Sequence, residues 1–398
     1  MPLANIAVRL QSGIQQSSHV TLATMSKLSV VSNAVITFCY NVFRAATSWM
    51  PTSWMRWIPT SDDLLAAAER KILSYLKSPY EGYFVTLQPE AGVSRPESHK
   101  ASHRIWTVTL NTKDPISPIP LVMVHGFGGG VGMWALNLDE LASRRPLYAF
   151  DLLGFGRSSR PSFSTNAEIA EQQFVDSIEA WRKEQGLKDF ILLGHSLGAF
   201  IAASYCLRFP QYVRHLIMVD PWGLAERPSE KDAHQFSAPL WIRTAAAMLQ
   251  PFNPLAGLRV AGPWGPRLVG RFRPDLQRKF ANLIQEENAI FDYIYHCNAQ
   301  TPSGEVAFKH MTVPYGWAKN AMLKRMYKIE DKVPISFVYG SRSWIDHTVA
   351  YLVKENRTNS RTEVLLIHGA GHHVYADRPH EFNEAINRIC NQVDRDEL

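Results

Sequence analysis

The sequence predicts an α/β fold, a mostly parallel sheet flanked by helices with an inserted helical cap, and three observations lead there. Short apolar runs closed by turn residues recur from about Tyr83 onward. Several are almost wholly apolar, as strands buried on both faces of a parallel sheet must be. Helical stretches lie between them, which places the chain in the α/β class, until the alternation fails between about Leu224 and Lys332.

Composition agrees with a folded enzyme-sized chain. With 46% hydrophobic and 20% charged residues among 398, a sizeable core can form, which excludes wholesale disorder and fibrous repeats. The net charge of +6 is unevenly placed: no acid precedes Asp62, while Arg9, Lys27, Arg44 and Arg56 do, so the first 61 residues carry +4 and the remainder, 38 basic against 36 acidic, only +2. So localised a charge argues against a nucleic-acid partner, which usually meets a basic docking face. Cys39, Cys206, Cys297 and Cys390 form no C-x-x-C pair, so neither a disulfide framework nor a thiolate zinc site is expected. The most apolar stretch, Leu28 to Phe43, is too short for a spanning helix and lacks the flanks of a secretory signal.

In chain order, residues 1–46 read as a loosely ordered, acid-free arm. A direct repeat follows, Thr47-Ser48-Trp49-Met50-Pro51 and Thr52-Ser53-Trp54-Met55-Arg56, then Trp57. Ser61 or Asp62 can cap a helix whose apolar stripe is Leu64, Leu65, Ala68, Ile72, Leu73 and Leu76. The expected strands are Ile105–Leu110, Pro120–Val124, Leu147–Phe150, Phe190–Leu193, Leu216–Val219, Ile335–Tyr339 and Val364–Ile367, with helices at Asn166–Glu184 and Ala199–Arg208. Helical patterns around Trp241–Leu249 and Asp275–Tyr295 mark the cap. The expected organisation is therefore an arm over 1–61, a core in two parts over 62–223 and 333–398, and a cap over 224–332.

The chemistry centres on Gly194-His195-Ser196-Leu197-Gly198, between a strand and a helix. In that setting G-x-S-x-G makes a tight turn that lifts a Ser hydroxyl above the sheet. A Ser nucleophile needs a base, and His372 in Gly369-Ala370-Gly371-His372-His373 is the expected one, with His373 as its rival. The acid should follow a late strand: Asp346 is expected, on the loop after Ile335–Tyr339, and Asp220, at the end of Leu216–Val219, is the alternative. Two backbone N–H groups must hold the oxyanion. Leu197 supplies one and Phe127, in His125-Gly126-Phe127-Gly128-Gly129-Gly130, the other. A phosphate-loop reading of those glycines lacks G-K-[ST]. No metal or organic cofactor is expected.

With Ser196, Asp346 and His372 in this order, the chain resembles the α/β-hydrolase superfamily over roughly residues 80–395. Asp151-Leu152-Leu153-Gly154-Phe155-Gly156-Arg157-Ser158-Ser159-Arg160-Pro161, Asp220-Pro221-Trp222-Gly223 and Gly371-His372-His373-Val374-Tyr375-Ala376-Asp377 are similar to the subfamily of α/β-hydrolase domain-containing proteins 4 and 5. That resemblance implies an acyl-lipid substrate. One branch hydrolyses phospholipids, including N-acyl phosphatidylethanolamines. The other replaces the nucleophile by Asn, coats lipid droplets and activates a separate triacylglycerol lipase. Ser196 places this chain with the enzymes. The resemblance also implies droplet anchoring by Trp49, Trp54 and Trp57, lipase activation through Arg342 and Gly371, and a His372-x-x-x-x-Asp377 acyltransferase motif acting on lysophosphatidic acid. Asp377 before Arg378-Pro379 also reads as the N-cap of the last helix.

Pro51 and Pro59 bracket the Trp cluster, and Trp favours the boundary between lipid and water. The expected location is accordingly a lipid-droplet or cytosolic ER surface, in contact with a triacylglycerol lipase or droplet-coat proteins. A mitochondrial transit reading of the acid-poor arm is the alternative. In the cap, Trp241, Phe252, Trp264, Phe272 and Phe280 are expected to line an acyl-chain tunnel or to form the cap's own core.

Overall fold

A computed structural model of the chain describes residues 60–88, 102–113, 118–228, 253, 255–286 and 288–396. The basic arm with Trp49, Trp54 and Trp57, the expected helix at Trp241–Leu249, and Phe252 lie outside the described residues.

Eight strands build the main sheet: β1 Tyr80–Thr86, β2 Arg104–Leu110, β3 Leu121–Val124, β4 Leu147–Phe150, β5 Phe190–His195, β6 Val213–Val219, β7 Ile335–Gly340 and β8 Thr362–Ile367. Their spatial order is β1-β2-β4-β3-β5-β6-β7-β8. The contacts of β1 with β2 and of β2 with β4 are antiparallel, and the rest are parallel. Period-two alternation explains why the central strands are apolar throughout: Val122 and Val124 enter the core on one face, Leu121 and Met123 the core on the other. All seven expected strands are present. The edge strand β1 was not expected as one, because it is largely exposed and interrupted by Gly82. That glycine is needed, since a Cβ there would lie 2.8 Å from the Trp106 ring.

The N-terminal helix runs Asp62–Leu73, capped by Ser61, whose Oγ accepts the Leu64 N–H. It buries Leu65, Ile72 and Leu73 and leaves Leu64 exposed. Asn166 caps the helix Ala167–Glu184 in the same way, accepting from Glu168 and Ile169. Between β6 and β7 the expected helical run Asp275–Tyr295 is in fact two helices, Pro274–Phe280 and Ala289–Ala299. Among the described residues no helix is long and apolar enough to cross a membrane.

Parallel strands end on the same side, so the loops after β3, β5, β6 and β8 meet above one edge of the sheet. Every expected catalytic residue except Asp346 lies on one of these loops.

Candidate active site

The turn after β5 explains its own sequence. Ser196 has φ 54° and ψ −116°, a backbone conformation costly for any residue with a side chain, and it leads directly into the helix Leu197–Arg208. Its flanking glycines allow close packing: a Cβ on Gly194 would sit 2.4 Å from the Gly198 carbonyl oxygen, and one on Gly198 would sit 2.4 Å from the His125 carbonyl oxygen.

Ser196 Oγ lies 3.1 Å from His372 Nε2. The other ring nitrogen, Nδ1, lies 2.5 Å from Asp220 Oδ2. Both nitrogens of His372 are thereby engaged, one by the hydroxyl and one by a carboxylate. His373 meets neither group; its Nδ1 lies 3.5 Å from Arg273 Nη2.

Asp220 therefore replaces Asp346 as the acid partner of His372. It is fully buried at the end of β6, with φ 44°. The Ser343 hydroxyl donates to the same Oδ2 at 2.5 Å, and the Gly340 N–H donates to Oδ1 at 3.3 Å. Asp346 is exposed, and its Oδ1 accepts the Thr348 N–H and hydroxyl at 2.9 and 2.7 Å. It serves the start of the helix Thr348–Asn356 rather than the imidazole.

The loop after β3 lies against the nucleophile, since a Cβ on Gly126 would be 3.1 Å from that of Ser196. The Leu152 N–H donates to His125 Nε2 at 3.0 Å, so the His125 proton is on Nδ1 and is donated to the Gly126 carbonyl at 2.7 Å. In a trans peptide the Phe127 N–H points opposite to that carbonyl, and His125 thus fixes its direction. Leu197, first residue of its helix, has an N–H with no partner inside the helix. Among the described residues neither N–H is spent on a turn or cap acceptor. Burial lowers the proton affinity of His125 and, more strongly, of His195 and His373, which keeps these three rings neutral around the site.

The Asp151–Pro161 segment is structural. The Asp151 carboxylate accepts the Val131 and Arg157 N–H groups, each at 2.7 Å, and so supports the glycine loop from behind. Arg160 binds the Gly154 and Gly156 carbonyls and that of Cys297 in the cap.

Asp377 does not form a second dyad with His372. Its Oδ2 accepts the Gly371 N–H at 2.9 Å, and Oδ1 pairs with Lys279 at 3.2 Å. Nor does it cap the last helix, Pro379–Asp394, whose N-cap is Arg378; Asp377 closes the short helix Val374–Asp377. Arg342 is exposed, and its backbone N–H donates to the Ala370 carbonyl.

The expected tunnel aromatics divide differently. Phe280 is buried in the core, whereas Trp264 and Phe272 are 57% and 73% exposed. A different aromatic group adjoins the loops that carry the site: Phe308 packs on Phe127 and Trp222 at 4.4 and 4.7 Å between centroids, and the backbone N–H of Trp222 donates to the Ser196 carbonyl. Phe308 and Ser343 went unnoticed in the sequence, because neither falls in a motif.

Residues 119–379 match the family model described as the alpha/beta hydrolase fold. The chain is 50% identical to (Lyso)-N-acylphosphatidylethanolamine lipase of Mus musculus over 87% of its own length and 97% of that protein. It is also 50% identical to 1-acylglycerol-3-phosphate O-acyltransferase ABHD5 of Sus scrofa, over 87% and 95% of the two chains. Among solved structures, naproxen esterase (carboxylesterase NP) from Bacillus subtilis aligns with TM-score 0.55 at 16% identity, covering 82% of this chain and 96% of that one.

Proposed function

Because this chain belongs to the alpha/beta hydrolase fold family, we propose that it is a serine hydrolase of acyl lipids, of the phospholipase, lysophospholipase or N-acyl phosphatidylethanolamine lipase type, working through an acyl-enzyme on Ser196. The observation that carries this reading is the continuous relay Ser196 Oγ, His372 Nε2, His372 Nδ1, Asp220 Oδ2. Both curated relatives described above are named for reactions of acyl groups on phosphate-bearing lipids.

The geometry supports the following course. Ser196 Oγ attacks the ester carbonyl carbon as its proton passes to His372 Nε2. Asp220 holds the Nδ1–H and stabilises the imidazolium; it need not take the proton itself. The negative charge on the former carbonyl oxygen meets the Phe127 and Leu197 N–H groups. Collapse of the tetrahedral intermediate breaks the ester C–O bond, and His372 protonates the departing alkoxide. A water molecule then attacks the acyl-Ser196 ester, giving its proton to His372, and the second collapse releases the fatty acid as His372 Nε2 returns that proton to Ser196 Oγ. A lysolipid hydroxyl in place of water would complete acyl transfer on the same nucleophile. Phe127, Phe308 and Trp222 offer the acyl chain an apolar wall.

A lipid surface is the proposed location of the work. Val260, Trp264 and Phe272 are exposed on the cap beside exposed Arg267 and Arg271, a combination suited to the interface of a phospholipid layer. Lipid-droplet or ER attachment through Trp49, Trp54 and Trp57 belongs to the same proposal. A second reading, coactivation of a triacylglycerol lipase, is favoured by the exposed Arg342 and Trp344 on the loop after β7.

A fluorophosphonate probe and a panel of phospholipid, lysophospholipid and N-acyl phosphatidylethanolamine substrates test the enzyme reading. Labelling and turnover should both disappear in Ser196→Ala. An unlabelled, inactive wild-type chain with undiminished cellular function in Ser196→Ala would leave only the coactivator.

A further inference from the structure

We infer that His195, the variable residue of the Gly-x-Ser-x-Gly turn, is a positioning residue: its Nε2–H braces the backbone of His372 and its ring spaces the oxyanion loop. The inference rests on Ser196 being the nucleophile.

His195 is the last residue of β5 and is buried. Its Nε2 lies 2.9 Å from the His372 carbonyl oxygen. A carbonyl can only accept, so His195 donates from Nε2, and in the neutral ring Nδ1 carries no proton. On that side the ring faces Gly126, where an added Cβ would come within 2.8 Å of Nδ1. Trp134 and Tyr375 meet the ring edge-on at 6.4 and 5.0 Å between centroids. One side chain therefore touches the loop after β3 that carries the Phe127 N–H and the loop after β8 that carries the base.

The histidine loop needs such a support. His372 must meet Ser196 and Asp220 at once, yet it follows Gly369-Ala370-Gly371, whose two glycines give the backbone wide freedom. Asp377 holds the loop before His372 through the Gly371 N–H, and His195 holds it after, through the His372 carbonyl. Burial also keeps His195 unprotonated, and its donated proton goes to a carbonyl that cannot relay it. His195 consequently acts through His372 and takes no part in proton transfer itself.

His195→Gln and His195→Met separate the hydrogen bond from the space it fills. The two side chains are of similar length, but only Gln keeps an N–H donor. Both variants are compared with wild type for fluorophosphonate labelling rate, for kcat and KM on a short soluble ester, and for the downfield proton resonance of the His372 Nδ1–H bond to Asp220. The expected result is a kcat lowered by about 10- to 100-fold in His195→Met with little change in KM, because small misplacement of a catalytic group has effects of that size. The downfield resonance should broaden or vanish with it, while His195→Gln restores rate and resonance to within a few fold. Undiminished kcat in a folded Met variant overturns the inference. So does a folded Gln variant whose kcat falls about 10-fold or more below wild type, a comparison that still decides if the Met chain does not fold. Failure of the wild-type chain itself to label would count against the Ser196 reading, which keeps the two outcomes apart.

Discussion

His372 Nδ1 lies 2.5 Å from Asp220 Oδ2 at the end of the sixth strand, while Asp346, on the loop of the next strand, faces solvent. Asp220→Asn should therefore lower kcat/KM on a short soluble ester by about 10³- to 10⁴-fold, the scale seen when a triad acid is neutralised. Asp346→Asn should stay within about threefold of wild type. The opposite ranking would return the acid to Asp346.

The elbow makes a steric prediction. Gly198→Ala would drive a Cβ to 2.4 Å from the His125 carbonyl oxygen, a backbone atom with little room to yield. Overpacking of this kind costs about 1–3 kcal/mol. A lower thermal midpoint together with slower labelling of Ser196 is expected; a variant indistinguishable from wild type would show that the loop after β3 gives way freely.

Asp377 separates one active site from two. It supports the Gly371 N–H and pairs with Lys279, both outside the triad relay. In Asp377→Ala, hydrolysis and acyl transfer to lysophosphatidic acid should fall by the same factor, about tenfold. In Asp377→Asn, whose amide oxygen can still accept, both should fall less. Selective loss of transfer would assign Asp377 a role in an acyltransferase site of its own.

Glu69 makes a prediction about pH. It is buried on the helix Asp62–Leu73 and pairs with Arg157 at 2.8 Å. Burial, with the charge of Asp151 added, pushes its carboxyl up to about 8 against the opposing pull of Arg157. In the unfolded chain it titrates near the ordinary 4.5. Between these values the folded protein holds a proton that the unfolded chain has lost, so this group's stabilisation is full below about 4.5 and is lost as pH rises through about 8. Thermal midpoints across that range should fall less steeply in Glu69→Gln than in wild type. Identical slopes would refute the assignment.

Much of this site was legible in the sequence because its parts are local. Gly194 to Gly198 and His125 to Gly130 each carry a steric requirement within a few residues, and apolar runs marked all the sheet strands but exposed β1. The acid was not local. Asp220 and Asp346 both follow strands, and only the side-by-side placement of β6 and β7 decides which carboxylate reaches the imidazole. Sequence also shows Asp220 before Pro221, a pattern that reads equally well as a turn. The exposure of Trp264 and Phe272 is not legible for a related reason: an aromatic residue in a helical cap looks the same in sequence whether it faces the core or solvent.

Placing the acid after β6 has a consequence for the loop that follows β7. Ser343 is tied to Asp220, and Ser341 accepts the Gly369 N–H. Arg342, Trp344 and Asp346 are the alternating exposed positions between Ser341 and His347; of these, the Trp344 ring lies 5.2 Å between centroids from that of His372. Inward-facing serines keep the loop in place, so Arg342 and Asp346 can change without loss of the hydrogen bonds to Asp220 and Gly369, while Trp344 lies against the base. At Arg342 and Asp346 the rim of the site can thus acquire or shed recognition contacts by single substitutions, whereas a change at Trp344 reaches the imidazole beneath it.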